Sequence, residues 1–155
     1  MIASSYSEAQ KAIEAARQKG KTIVSTNGCF DILHKGHVTY LKEAKSKGDF
    51  LFVAINADAS VRAIKGDHRP INAAEDRAFV LEALQHVDLV CVFNEETPVK
   101  ILEATKPDFH FKGADWKNRG IPEEKLLESW GGKVIFADYL DGYSTTQIIE
   151  KSQKS

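Results

Sequence analysis

The residues best suited to chemistry in this chain lie between Thr26 and Tyr40: Asp31, His34 and His37, with Gly28 and Gly36 among them. Two histidines three residues apart can both face one bound phosphate. A neutral imidazole donates one hydrogen bond and an imidazolium two. Gly36, between them, lets the backbone approach a ligand where a Cβ would obstruct it. The chemistry that suits this set is stabilisation of charge on a phosphoryl group in transfer, with no covalent step by the protein. A chance pair of surface histidines is the plain alternative. A zinc site is disfavoured because the nearest candidate ligands lack the spacing of metal motifs, so no protein metal site is expected. Cys29 lies in the same turn without a paired general base, which argues against a nucleophilic role.

Those side chains need a strand, a turn and a helix start to hold them. The apolar run Thr22–Ser25 reads as a short buried strand, and helical spacing follows it, with a helix expected over His37–Lys47. A strand, a glycine-bearing turn and a helix N-terminus make an anion site, because free backbone N–H groups and the helix dipole point at whatever binds. Neither the Gly-x-Gly-x-x-Gly nor the Gly-x-x-x-x-Gly-Lys-Ser/Thr loop is present; His34-x-Gly36-His37 stands in their place.

The rest of the chain alternates. A helix is expected over Ser7–Arg17 with a serine N-cap and Gly20 after it, packed on the outside of the sheet as a 1–20 appendage. Phe50–Asn56 is an unbroken apolar run, the mark of a strand buried on both faces. Ala57–Asn72 reads as a long polar, non-periodic loop. Ala73–Gln85 reads as a helix with Phe79, Val80, Leu81 and Leu84 on its apolar face. Val87–Phe93, Phe109–Phe111 and Lys133–Ala137 complete five strands, with helices over Pro98–Thr105, Pro122–Trp130 and from Ser144 onward. This order predicts an α/β fold: a Rossmann-like parallel five-stranded sheet with right-handed crossovers and helices on both faces, one domain over 1–155. Ligands on such sheets bind beyond the C-terminal strand ends where strand order reverses, and the turn after the first predicted strand is the natural place.

At 155 residues, 43% apolar and 28% charged, the chain has the composition of an ordinary globular domain. A formal net charge of −1 gives no sign of a nucleic-acid or membrane-surface partner, so any phosphate must be met by local positive charge. There is no apolar run long enough to cross a membrane and no signal-peptide pattern at the start. Cys29 and Cys91 read as buried free thiols of a reducing, cytoplasmic compartment.

The stretch Asn27–His37 resembles the signature of the cytidylyltransferase-like nucleotidyltransferases, and Tyr143–Thr146 with Ile148 and Ile149 resembles their second signature. The likeness covers about Lys21 to Lys151. Within the family, Lys65-Gly-x-x-Arg69-Pro70-Ile and Tyr143-Ser-Thr-Thr-x-Ile-Ile are similar to the pattern of the heptose 1-phosphate adenylyltransferases. The cytidine enzymes carry an arginine just before the Ser-Thr-Thr segment, which Asp138–Gly142 lacks. The resemblance implies transfer of AMP from ATP to a sugar 1-phosphate, with Mg2+ held by substrate and water, and it is compatible with a homodimer. A sugar kinase domain carried upstream by some members is not present, so a stand-alone transferase is expected. Cytidylyl transfer to glycerol 3-phosphate, adenylyl transfer to a flavin or pantetheine phosphate, or a non-catalytic nucleotide-binding module are the alternatives.

The resemblance also implies roles. His34, His37 and Lys65 would be catalytic. Asn27, Gly28, Cys29, Phe30, Gly36, Arg77, Lys112, Gly113, Asp115, Tyr143, Ser144, Thr145 and Thr146 would bind the nucleotide. Asp31, Asn56, Asp58, Arg69 and Trp116 are candidates for the acceptor, or, for Asp31, for orienting a histidine or the metal. Ordinary readings stand beside several of these. Lys65 and Arg69 could be solvated loop charges and Arg77 part of a surface ion pair. Gly113–Trp116 could be a plain turn, and Ser144–Thr146 a helix cap.

Overall fold

In the computed structural model, which describes residues 1–138 and 144–154, six parallel strands form one sheet. The elements run β1 Ile2–Ala3, α1 Tyr6–Gln18, β2 Ile23–Gly28, α2 Lys35–Lys45, β3 Phe50–Asn56, α3 Asp58–Lys65, α4 Ala74–Glu82, β4 Leu89–Phe93, α5 Val99–Thr105, β5 Phe109–Lys112, α6 Pro122–Glu128, β6 Lys133–Phe136 and α7 Thr145–Gln153. A 3₁₀ turn, Ala114–Trp116, follows β5. Strand order is β1-β4-β3-β2-β5-β6. From β2 the chain builds outward through β3 and β4, then returns to lay β5 on the other side of β2. Strand order therefore reverses between β2 and β5.

Both sheet faces are covered. On one, Val24, Leu41, Leu51, Val53, Leu81 and Phe111 pack together; on the other, Ile13, Ile23, Phe52, Leu89, Phe93 and Ile101 do. Alternate residues of β3 supply both clusters, which is why Phe50–Asn56 shows no polar alternation. Each such Leu, Ile or Phe contributes about 1.5–3 kcal/mol through its removal from water. Among the described residues no helix is long and apolar enough to cross a membrane.

Several expectations need correction. The sheet has six strands, because Ile2–Ala3 pairs with Val90–Cys91 at the edge; two residues are too few for any periodicity to show. The serine capping α1 is Ser5, whose side chain accepts from Glu8 N, and the helix starts at Tyr6. β2 continues through Gly28, so part of the expected turn is strand. The span read as loop after Asn56 contains α3, two turns with only Ser60 and Val61 buried. On α4, Ala78 and Leu81 face inward, whereas Phe79 is 68% and Val80 48% exposed. Consecutive residues on a helix lie 100° apart and cannot share one face.

Candidate active site

The C-terminal ends of β2, β3, β5 and β6 open into a cleft of about 870 Å³, bordered by the starts of α2 and α7. Its floor is the turn after β2. Phe30 there holds a left-handed backbone, φ 48°, and turns its buried ring against His37, centroids 5.3 Å apart. A non-glycine residue in that region carries strain of order 1–3 kcal/mol, which the packing must hold. Gly28 accommodates the ring: a Cβ at this position would lie 2.9 Å from Phe30 Cε2.

His34 is the N-cap of α2, and its ring accepts a hydrogen bond from His37 N at 3.4 Å through Nδ1. It does with imidazole what Asp or Ser does in an ordinary cap. With Nδ1 accepting, the ring proton sits on Nε2. His37 occupies the first turn, and the two rings stack at 3.8 Å, tilted 22°. Burial, then the neighbouring His34, pushes His37 down to about 4; burial also lowers His34. Both are neutral at physiological pH. Nδ1 of His37 is buried and has no hydrogen-bond partner among the described residues. Thus the helix begins at Lys35 and not at His37, with the first histidine as its cap.

Around this floor the cleft collects Asn27, Cys29, Asn56, Lys65, Arg69, Lys112, Gly113, Asp115, Trp116 and Ser144–Thr146. Ser144 caps α7 by accepting from Gln147 N, and Thr145 Oγ1 donates to Ile32 O, which ties the last helix to the histidine turn. Two helix N-termini therefore border one cleft, each suited to an anion. Lys65 is exposed at the C-terminal end of α3. Gly113 is pressed by its neighbour: a Cβ there would come within 2.5 Å of Asp115 Oδ1. Burial pushes the Cys29 thiol up, which keeps it protonated and unsuited to nucleophilic attack.

Three expected contacts fall elsewhere. Arg77 is buried, 2% exposed, and outside the cleft. Its guanidinium donates to Asn72 O, Cys29 O, Asn56 O and Asp58 Oδ1 at 2.6–3.0 Å, so it clamps three backbone carbonyls and is spent. Asp58 is accordingly the arginine's partner and does not line the cleft. Asp31 reaches the cleft wall, but its carboxylate accepts from Arg69 Nε and from the backbone N–H groups of Ile71 and Asn72. It anchors the 69–72 segment through these three donors. Burial works against the charge there, yet those donors prevail and hold the carboxyl below its ordinary range. Tyr143 lies outside the described residues.

Sequence reasoning passed over Tyr40, Glu96 to Pro98, Ile121 to Glu123 and His110. The first seven line the cleft. Tyr40 OH meets Thr26 Oγ1 and donates to Phe111 O, locking α2 onto β5. His110 lies beneath, between Ser25 Oγ and Asn27 Oδ1. The alternation of β5 puts His110 and Lys112 on one face, and that periodicity was the available signal.

A parallel sheet with its cleft at the switch point, two helix N-termini and a stacked pair of neutral imidazoles defines an α/β domain that handles phosphorylated nucleotides. The chain belongs to the cytidylyltransferase-like family of nucleotidyltransferases, whose profile matches residues 25–151. It is 48% identical over 139 residues to the bifunctional protein HldE of Pelobacter propionicus, 90% of this chain and 28% of that protein. With the HldE of Cronobacter sakazakii it shares 48% over 146 residues, 94% of this chain and 31% of the relative. The chain thus spans less than a third of these relatives. A lipopolysaccharide core biosynthesis protein from Thermoplasma volcanium superposes with a TM-score of 0.68 at 31% identity, over 79% of this chain and all of the other. A pantoate-beta-alanine ligase from Francisella tularensis shares the fold at TM-score 0.67 and 16% identity, over 99% of this chain and 77% of that one.

Proposed function

We propose that this chain transfers the adenylyl group of ATP to a heptose 1-phosphate, giving ADP-heptose and pyrophosphate. The observation that carries the phosphoryl chemistry is the stacked His34–His37 pair at the start of α2, neutral, half-buried and inside the cleft. A phosphate oxygen of the sugar attacks the α-phosphorus, a new P–O bond forms, and the bond to the β-phosphate oxygen breaks in line as pyrophosphate leaves. Neutral imidazoles present N–H donors to the charge that develops on the α-phosphate. The N-termini of α2 and α7 add their dipoles. Lys65 and Arg69 meet the β- and γ-phosphates from the rim, and Asp31 keeps Arg69 in position.

Among the described residues no group of three or more His, Cys, Asp or Glu side chains could hold a metal ion. Magnesium would come with ATP, held by phosphate oxygens and water, and would lower the charge repulsion of the reacting phosphates. The heptose rests on the resemblance of the Lys65–Ile71 and Ser144–Ile149 segments and on the structural relative named for lipopolysaccharide core biosynthesis. Pyrophosphate release decides it, measured with ATP and magnesium against heptose 1-phosphate, hexose 1-phosphates, glycerol 3-phosphate, flavin mononucleotide and phosphopantetheine. Heptose 1-phosphate well above the others, and ATP well above CTP, are the expected results. A different acceptor on top replaces the substrate, and silence with every acceptor leaves a binding module.

A further inference from the structure

Lys112 and Glu123 form an ion pair inside the cleft wall, Nζ to Oε1 3.1 Å, and they are only 7% and 4% exposed. A buried pair of this kind is tolerated when the remaining donors and acceptors are also satisfied. On the lysine side they are: Nζ also donates to Asn27 Oδ1 at 3.0 Å and lies 5.0 Å from the centre of the Trp116 ring. Asn27 Oδ1 meets His110 Nε2 at 3.2 Å, and His110 Nδ1 meets Ser25 Oγ at 2.7 Å. A polar chain therefore climbs from the sheet interior and ends at Glu123. At that end the accounting fails. Glu123 Oε2 is buried and has no hydrogen-bond partner among the described residues.

Native interiors seldom leave a carboxylate oxygen so. The cation-rich rim with Lys65 and Arg69, together with the two histidines, takes the phosphates, which a buried carboxylate would repel. Glu123 stands instead beside Ile121, Pro122 and the Trp116 ring, a wall suited to the neutral part of a ligand. We infer that Glu123 Oε2 accepts a hydrogen bond from a neutral N–H or O–H donor of the bound ligand, a nucleobase amine or a sugar hydroxyl, and thereby selects the ligand that carries it. The inference rests on the reading of this cleft as a site for ATP and a sugar phosphate.

Glu123→Gln tests it on the whole chain. Lys112 retains the amide oxygen, which turns the NH2 group toward the ligand and converts an acceptor into a donor. Affinities are measured by calorimetry for ATP, for inosine triphosphate, which has a carbonyl in place of the amine, and for heptose 1-phosphate with a non-hydrolysable ATP analogue present. If the base supplies the donor, E123Q loses about tenfold or more for ATP and gains for inosine triphosphate. If the sugar supplies it, the nucleotide ratio stays constant and heptose 1-phosphate weakens by a similar factor. Glu123→Asp keeps the charge opposite Lys112 but withdraws the oxygen by one methylene. It weakens the same ligand without the gain for inosine triphosphate, and it serves if E123Q does not fold. A folded variant with all three affinities unchanged overturns the inference, and so does an equal loss for all three, which would make Glu123 a support for Lys112 alone. A wild-type protein that binds neither nucleotide nor sugar phosphate overturns the proposed function itself and the inference with it.

Discussion

Acidification from about pH 7.5 to about pH 5 should remove about 4 kcal/mol of folding stability, through two histidines that the fold keeps neutral. Burial, with Lys112 nearby, holds His110 at about 3, and burial, with His34, holds His37 at about 4. In the unfolded chain both titrate near ~6.5. Below that value the unfolded state binds protons that the native state refuses, so stability is complete above about pH 6.5 and falls as the pH drops toward the folded values. At about pH 5 each unfolded histidine is protonated by about 1.5 pH units of driving force, at ~1.4 kcal/mol per unit, or about 2 kcal/mol each. The sum depends little on the folded pKa values, because both lie well under 5. The lowered His34 acts in the same direction, and the Asp31 carboxyl titrates below this window. Urea unfolding followed by circular dichroism at several pH values gives the slope, and His110→Gln isolates one contributor. The variant should be less stable at pH 7.5 through the altered Ser25 and Asn27 contacts, yet lose only about half as much on acidification. An unfolding free energy that stays flat between the two pH values, or an unchanged slope in H110Q, would refute the assignment of neutral buried histidines.

Replacing His34 or His37 by alanine should lower kcat by about a hundredfold or more, since each acts on charge that appears in the transition state. The His34 variant also loses a helix cap, about 1 kcal/mol, which thermal unfolding will show without loss of the fold. Arg77→Lys should cost about 1–3 kcal/mol in urea unfolding, because three backbone carbonyls and Asp58 lose a planar donor that lysine cannot imitate; unchanged stability would return Arg77 to the candidate ligand contacts. Lys65→Ala should raise KM for ATP about tenfold while shifting stability by under about 0.5 kcal/mol, as befits an exposed side chain; unchanged kinetics would leave Lys65 a solvated charge.

What could be read from the sequence was set by what the residues alone reveal. The β3 run and the alternation of strands with helices carried the parallel sheet, and the histidine turn after β2 carried the place of the cleft. Edge strand β1 and the two-turn α3 were invisible because neither is long enough to display a period. Arg77 shows a different limit. An arginine two residues after a glutamate reads as surface charge or as a phosphate ligand, and only the folded chain shows Asn72, Cys29 and Asn56 offering their carbonyls to it. Asp31 is alike: its partners Arg69, Ile71 and Asn72 lie about forty positions away. Glu123 and Lys112 gave no local signal of their pairing, since a glutamate near a helix start is ordinary.

The return of the chain across β2 has a kinetic consequence. β2 pairs with β3 across a short connection, Ile23 opposite Phe50, but its other edge waits for β5, Val24 opposite Phe109. Closing so long a loop is slow relative to forming the β2–β3–β4 unit. That first-formed unit holds the histidine turn, Asn56 and Arg77, while Lys112, Glu123 and the cap of α7 arrive only with β5 and the segment beyond it. During refolding, secondary structure should therefore recover ahead of ligand affinity, and the appearance of binding marks the moment at which the two halves of the sheet meet.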